Sequence, residues 1–171
     1  MIAKAQSGVT LIELMITLVV VAIVVMAGVP MLGDFTRDSR VVSRTNDMVA
    51  ALNFARSEAV KRAEFVSICP SSDQASCTGS TDWTVGWIVW LDETGPGNGA
   101  VDAGETIMRV GDSIQAMSIS SGSDSITYEP AGGLSGSGVT IALRPDGCED
   151  SEKREIDLNL SGRPRTSQVS C

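Results

Sequence analysis

Gly8-Val9-Thr10-Leu11-Ile12-Glu13-Leu14 opens an apolar run that continues to Val29, and the reading of this run decides the fold. A helix of about 20 apolar residues crosses a hydrocarbon core about 30 Å thick. Between Val9 and Val29 the polar side chains are Thr10, Glu13 and Thr17. Glu13 is the anomaly, because an ionised carboxylate at membrane depth costs at least ~2.5–3.5 kcal/mol on insertion scales and demands a partner. No Lys or Arg lies within the run to supply one. Cutting the chain after Gly8 would create an α-amino group on Val9. That amine does not easily reach its own Glu13, one helical turn on, but it can meet Glu13 of a neighbouring subunit when such helices stack. Glu13 therefore reads as an assembly residue.

Behind a short leader carrying Lys4, G-V-T-L-I-E-L resembles the cleavage site of type IV pilins and type II secretion pseudopilins. The resemblance implies cleavage by prepilin peptidase between Gly8 and Val9, followed by methylation of the new N-terminus. Most members of that family begin the mature chain with Phe, where this one has Val9. The leader, 1–8, is processing sequence and stays outside fold reasoning.

Composition narrows the function classes. Thirteen Lys and Arg stand against 21 Asp and Glu, for a net charge of −8, so the chain is no globally basic nucleic-acid coat. It has no histidine, which removes the commonest general base and the commonest metal ligand. Four cysteines, Cys69, Cys77, Cys148 and Cys171, follow the apolar segment without any C-x-x-C pair, which points to disulfides in an oxidising compartment.

The expected organisation is a leader over 1–8, a transmembrane and polymerisation helix over 9–30, an amphipathic second half over 31–63, and a β-rich head over 64–171. Gly28 and Pro30 are expected to interrupt the helix, since proline removes one ladder bond. Beyond them Val41, Met48, Leu52, Ala55 and Ala59 recur at helical spacing, and charges of both signs fill much of the remainder. After Ala63 the period changes. Strands are expected at Phe65–Cys69, Val85–Leu91, Thr106–Val110, Val139–Leu143 and Ile156–Leu160, with the second apolar on both faces. Gly- and Ser-rich stretches at 94–99 and 132–138 read as loops. A long helix followed by antiparallel strands makes an α+β fold.

Phe54-Ala55-Arg56-Ser57-Glu58-Ala59-Val60-Lys61-Arg62, Val66-Ser67-Ile68-Cys69 and Asp82-Trp83-Thr84-Val85-Gly86-Trp87 resemble the GspH/FimT branch of the pilin family. That resemblance implies a type IV pilin fold and a minor pilin that primes or caps fibre assembly at the tip. A minor pseudopilin H of type II secretion is the alternative. Implied partners are prepilin peptidase, other minor and major pilins and an inner-membrane assembly platform. The implied location is the bacterial inner membrane, single-pass with the head in the periplasm, and then the extracellular fibre.

Catalysis finds little support, for there is no Ser/His/Asp set, phosphate-binding Gly loop or Zn motif, and no cofactor is expected. Asp92, Asn98, Asp102 and Glu105 make an oxygen-rich stretch, but their spacing does not match a Ca²⁺ loop and a Gly-rich hairpin connection accounts for it. The more specific candidate is Ser161-Gly162-Arg163-Pro164-Arg165, where two arginines two apart on an extended strand share a side. It resembles the G-R-x-R motif of FimT-type pilins that bind double-stranded DNA during natural transformation. In that reading Arg163 and Arg165 grip phosphates, with Lys153 and Arg154 as helpers. Four cysteines allow three pairings. The expected one joins Cys69 to Cys77 and Cys148 to Cys171, the second bond tying the terminal segment to the sheet.

Overall fold

The computed structural model describes residues 8–93, 101–148 and 153–171, with the side chains of 27–32 and 34 left undescribed. By internal contacts the chain divides into two units, 1–38 and 39–171. One helix, α1 (Leu11–Arg62), contributes to both. Its start is written locally: Thr10 Oγ1 accepts the Glu13 N–H at 3.3 Å, which makes Thr10 the N-cap and Glu13 the N3 residue. Its end is equally local. Ala63 takes a left-handed conformation (φ 57°), and the Glu64 N–H reaches back to the Ala59 carbonyl at 3.3 Å, closing a Schellman turn. The backbone stays helical through Gly28 and Pro30, where a break was expected. Proline's fixed φ is already helical and it withholds a single donor, so the ladder resumes on either side.

In the first unit the described apolar side chains from Val9 to Met26 are all exposed, Leu11 at 78% and Met26 at 79%. Among the described residues no helix is long and apolar enough to cross a membrane. The expected span over 9–30 includes residues 27–30, whose side chains lie outside the described ones.

The second unit carries eight strands: β1 (Phe65–Pro70), β2 (Trp87–Asp92), β3 (Ile107–Gly111), β4 (Met117–Ser121), β5 (Ile126–Tyr128), β6 (Val139–Pro145), β7 (Lys153–Leu158) and β8 (Pro164–Val169). They form two four-stranded sheets, ordered β3-β2-β1-β5 and β4-β6-β7-β8. All pairs are antiparallel. The α1 face expected to be apolar is buried, with Val41, Leu52, Ala55 and Ala59 fully so and Met48 1% exposed. It joins Val66, Ile68, Val89, Ile119, Ile141, Leu143 and Ile156 in one core. Sequence patterning read β2 as apolar on both faces, and every residue of it is buried. Its Ile88 and Trp90 pack with Cys69 in a second cluster, covered by Cys77, Val101 and Ile107.

That cover depends on the Cys69–Cys77 disulfide, and Cys148–Cys171 is formed as well. Within the first loop the Asp73 carboxylate accepts bonds from the Ser76 hydroxyl, the amides of Ala75 and Ser76, and the Ser71 hydroxyl. These donors, Ser76 foremost, hold its pKa well below the usual carboxylate range. Three strands differ from expectation. β4 and β5 were not among the strands expected, and β7 begins three residues earlier and stops at Leu158, so that Leu160 is 62% exposed. β5 is three residues long, too short for a period to declare itself.

Candidate functional site

Gly8 and Val9 are exposed ahead of α1, so the bond between them is sterically open. Glu13 is exposed in the first turn of the helix, where the unsatisfied amides carry the positive end of the helix dipole and favour a carboxylate. Thr10, which sequence reasoning passed over, fixes that turn. The signal for it was available in the Thr-x-x-Glu spacing. The geometry thus sets one carboxylate at the head of a helix whose described apolar side chains have no protein cover.

The C-terminal arginines stand on an edge. β8 is the outer strand of its sheet, and its residues are mostly exposed. Register decides which side chains share a face. Ile156 and Leu158 are buried and pair with Thr166 and Pro164, so the even positions of β7 and β8 turn toward the core. Arg165, paired with Asp157, and Ser167, paired with Glu155, turn outward. Arg163 and Arg165 are both exposed, and among the described residues neither makes a hydrogen bond or ion pair. The Thr140 hydroxyl donates to Asp157 at 2.7 Å, which engages the one carboxylate facing Arg165 in the register.

Lys153 and Arg154 are not brought to this pair. Lys153 shares the outward face but sits opposite Val169, about 13 Å along the strand from the Arg165 position, and is bonded to Glu155 at 2.7 Å. Arg154 has the opposite parity and lines a small cleft against Val42, Thr45 and Asn46 of α1. Adjacent residues of a strand point to opposite faces, so the helper role expected of both separates here.

The turn that carries the arginines is seated tightly. Gly162 has φ +71°, and its N–H donates to the Asn159 carbonyl at 2.8 Å. A Cβ there would run into the Gly132 carbonyl and come within 3.0 Å of the Tyr128 ring. The same Gly132 carbonyl accepts the Arg56 Nε–H at 2.8 Å. Tyr128 is fully buried beneath, and burial pushes its phenol well above the ordinary tyrosine value, so it stays neutral. Arg56 carried no such signal in the sequence, because the contact joins positions 76 residues apart.

The oxygen-rich stretch does not gather: Asp92 ends β2, buried, where it accepts the Ser67 hydroxyl at 3.1 Å, while Asp102 and Glu105 belong to a separate turn. Asp102 and Glu105 bond each other, Asp102 N–H to Glu105 Oε2 at 2.8 Å, while Asn98 lies outside the described residues. Among the described residues no three metal-ligating groups come together.

Known proteins place this geometry. Residues 44–162 match the family described as Type II transport protein GspH, and residues 3–29 match the prokaryotic N-terminal methylation motif. No curated protein is significantly similar in sequence. Among solved structures, the type IV minor pilin FimU of Pseudomonas aeruginosa (strain PAO1) is similar in two crystal forms. One is 22% identical over 73% of this chain and 90% of that chain, with a TM-score of 0.55. The other is 20% identical over 78% and 92%, with a TM-score of 0.56. At that identity the likeness is one of fold, and the fold is the α+β fold of a type IV minor pilin.

Proposed function

The chain belongs to the GspH family and bears the N-terminal methylation motif of prokaryotic pilins, and on that premise we propose that it is a minor type IV pilin. Prepilin peptidase cuts it between Gly8 and Val9, and the mature subunit waits in the inner membrane before entering a fibre at or near its tip. The observation that carries this reading is the exposed apolar run of α1 with Glu13 at its head. Removing such a surface from water is worth about 25 cal/mol per Å², so the run needs lipid before assembly and neighbouring helices after it. Inside either medium the carboxylate needs a cation, and the freed amine of Val9 on an adjacent subunit is one. A pseudopilin of type II secretion would use the same chemistry in a different machine. Gly8→Leu tests the processing step: the chain is expected to keep its leader, to stay in the membrane fraction, and to be missing from sheared surface fibres. Cleavage of the variant at the normal position would contradict the assignment.

A second reading is favoured by Arg163, in the turn before the edge strand β8, and by Arg165 on that strand, whose exposed side chains make no hydrogen bond or ion pair among the described residues. In this reading the head grips the backbone of double-stranded DNA, as guanidinium groups match phosphate oxygens in pairs. The rest of the chain is acidic, so binding is local and salt-sensitive. Duplex binding by the full chain should be in the micromolar range at low salt and lost in Arg163→Ala/Arg165→Ala. Equal binding by the double variant would remove this reading and leave the assembly role untouched.

A further inference from the structure

We propose that the cleft between α1 and the edge strand β3 is a docking site for an extended acidic segment of a partner protein, whose carboxylate is received by Arg109. The cleft has a volume of about 170 Å³. That suits a single apolar side chain, since pockets for whole small molecules run to about 300–1,000 Å³. Met48, Trp87 and Ile119, all buried, form its floor. In the register of the sheet Arg109 pairs with Val89, whose buried side chain belongs to the core that α1 covers. Directly paired residues share a face, so the Arg109 side chain leaves the strand toward α1. There its guanidinium stands 5.7 Å from the centre of the Phe54 ring and 5.8 Å from that of Trp87. Both distances fall within the ~6 Å reach of a cation–π contact. Gly111 makes this stack possible, because a Cβ on it would overlap the Trp87 indole.

Arg109 is thus oriented by two rings while its donors stay unused. Among the described residues it makes no hydrogen bond or ion pair. A planar fork of N–H donors held in place matches the two oxygens of a carboxylate. The carboxylates lining the cleft are engaged elsewhere: Asp47 pairs with Arg44 at 3.5 Å, and Asp112 accepts the Gln74 amide at 3.0 Å. The unmet capacity is therefore for an incoming anion. Two observations select a protein segment as its source. β3 is the outer strand of its sheet, so an extended segment can lie along it and continue the ladder. Asp47 and Asp112 also repel the dense charge of a nucleic-acid backbone more than they repel one carboxylate. Since side chains alternate along a strand, the fitting segment carries an apolar and an acidic residue two apart. Arg109 and Arg165 belong to different sheets, and the docking site does not depend on the nucleic-acid reading.

The full chain in non-ionic detergent is titrated with the labelled peptide Thr-Leu-Thr-Glu-Thr and with its Thr-Leu-Thr-Gln-Thr counterpart. The acidic peptide is expected to bind at least about tenfold more tightly, the effect of one hydrogen-bonded charge. Arg109→Gln should abolish that preference. The ratio of the two affinities isolates the charge contact, because a general loosening of the cleft weakens both peptides together. Equal binding of the two peptides by the wild type, a preference that survives in Arg109→Gln, or no binding of the acidic peptide at millimolar concentration would each overturn the proposal. The unmutated protein gives a second reading through its indole N–H resonances. Bound acidic peptide should shift that of Trp87 and leave that of Trp83, which is held by the Ser123 carbonyl, in place. A Trp87 resonance that does not move would put the peptide elsewhere and overturn the proposal. So would a DNA duplex that shifts Trp87 and displaces the peptide, because the cleft would then be a phosphate site.

Discussion

Glu13→Val leaves the chain cut after Gly8 and held in the membrane but removes it from fibres. The expected loss is close to complete, and it follows from where the carboxylate sits. Glu13 occupies the first turn of α1, beside the N-cap Thr10 and four residues from the new N-terminus. The substitution lengthens the apolar run and removes the group that is costly at membrane depth, so insertion should be easier. Only the charge that a neighbour's Val9 amine would seek disappears. In a medium that screens poorly, one unpaired ammonium per contact is a penalty of several kcal/mol. Comparison of the variant in membrane and sheared-fibre fractions by immunoblot reads the outcome directly. Wild-type incorporation would mean that packing of the apolar helices alone recruits the subunit.

Trp83→Ala should cost about 3–5 kcal/mol, the usual penalty for truncating a fully buried large aromatic. Trp83 is completely buried, its backbone N–H donates to the Ile119 carbonyl at 2.8 Å, and its indole N–H donates to the Ser123 carbonyl at 3.1 Å. It thereby fastens the segment before β2 to β4 and to the loop after it. Truncation opens a cavity and leaves the Ser123 carbonyl without its donor, and both effects add. Since domains are stable by about 5–15 kcal/mol, the variant keeps at most a fraction of the head's stability. Urea unfolding should show a large fall in midpoint, whereas a loss under about 1 kcal/mol would mean that the site collapses around the smaller side chain.

Much of the fold was legible because its signals are periodic. Val41, Met48, Leu52, Ala55 and Ala59 announced the buried face of α1 through spacing alone, and all five lie in the core. The two apolar faces of β2 announced a second layer, which the Cys69–Cys77 loop provides. The elements missed are those with no period to read. β5 has three residues and β4 is interleaved with serines. Helix continuity through Pro30 was misjudged because a single missing donor is a small defect in a long ladder.

The candidate functional residues divide the same way. Gly8, Val9 and Glu13 form a local motif, so the sequence presents them together. Arg163 and Arg165 are also local, but β8 begins at Pro164, so Arg165 alone has the strand presentation expected of both and Arg163 lies in the turn before it. Lys153 and Arg154 were grouped with them by nearness in the chain, but strand parity and register decide nearness in space. Arg56 illustrates the converse. It meets the terminal turn only through Gly132, a contact that requires α1, the loop after β5 and the β7–β8 turn to be in place at once.

The assembly reading is tested most directly by the intact mass and N-terminal sequence of the wild-type chain recovered from sheared surface fibres. The account predicts a chain that begins at Val9, carries one added methyl group and is present at low copy beside a major subunit. A chain that is absent from fibres, or that is found there with residues 1–8 still attached, would contradict it.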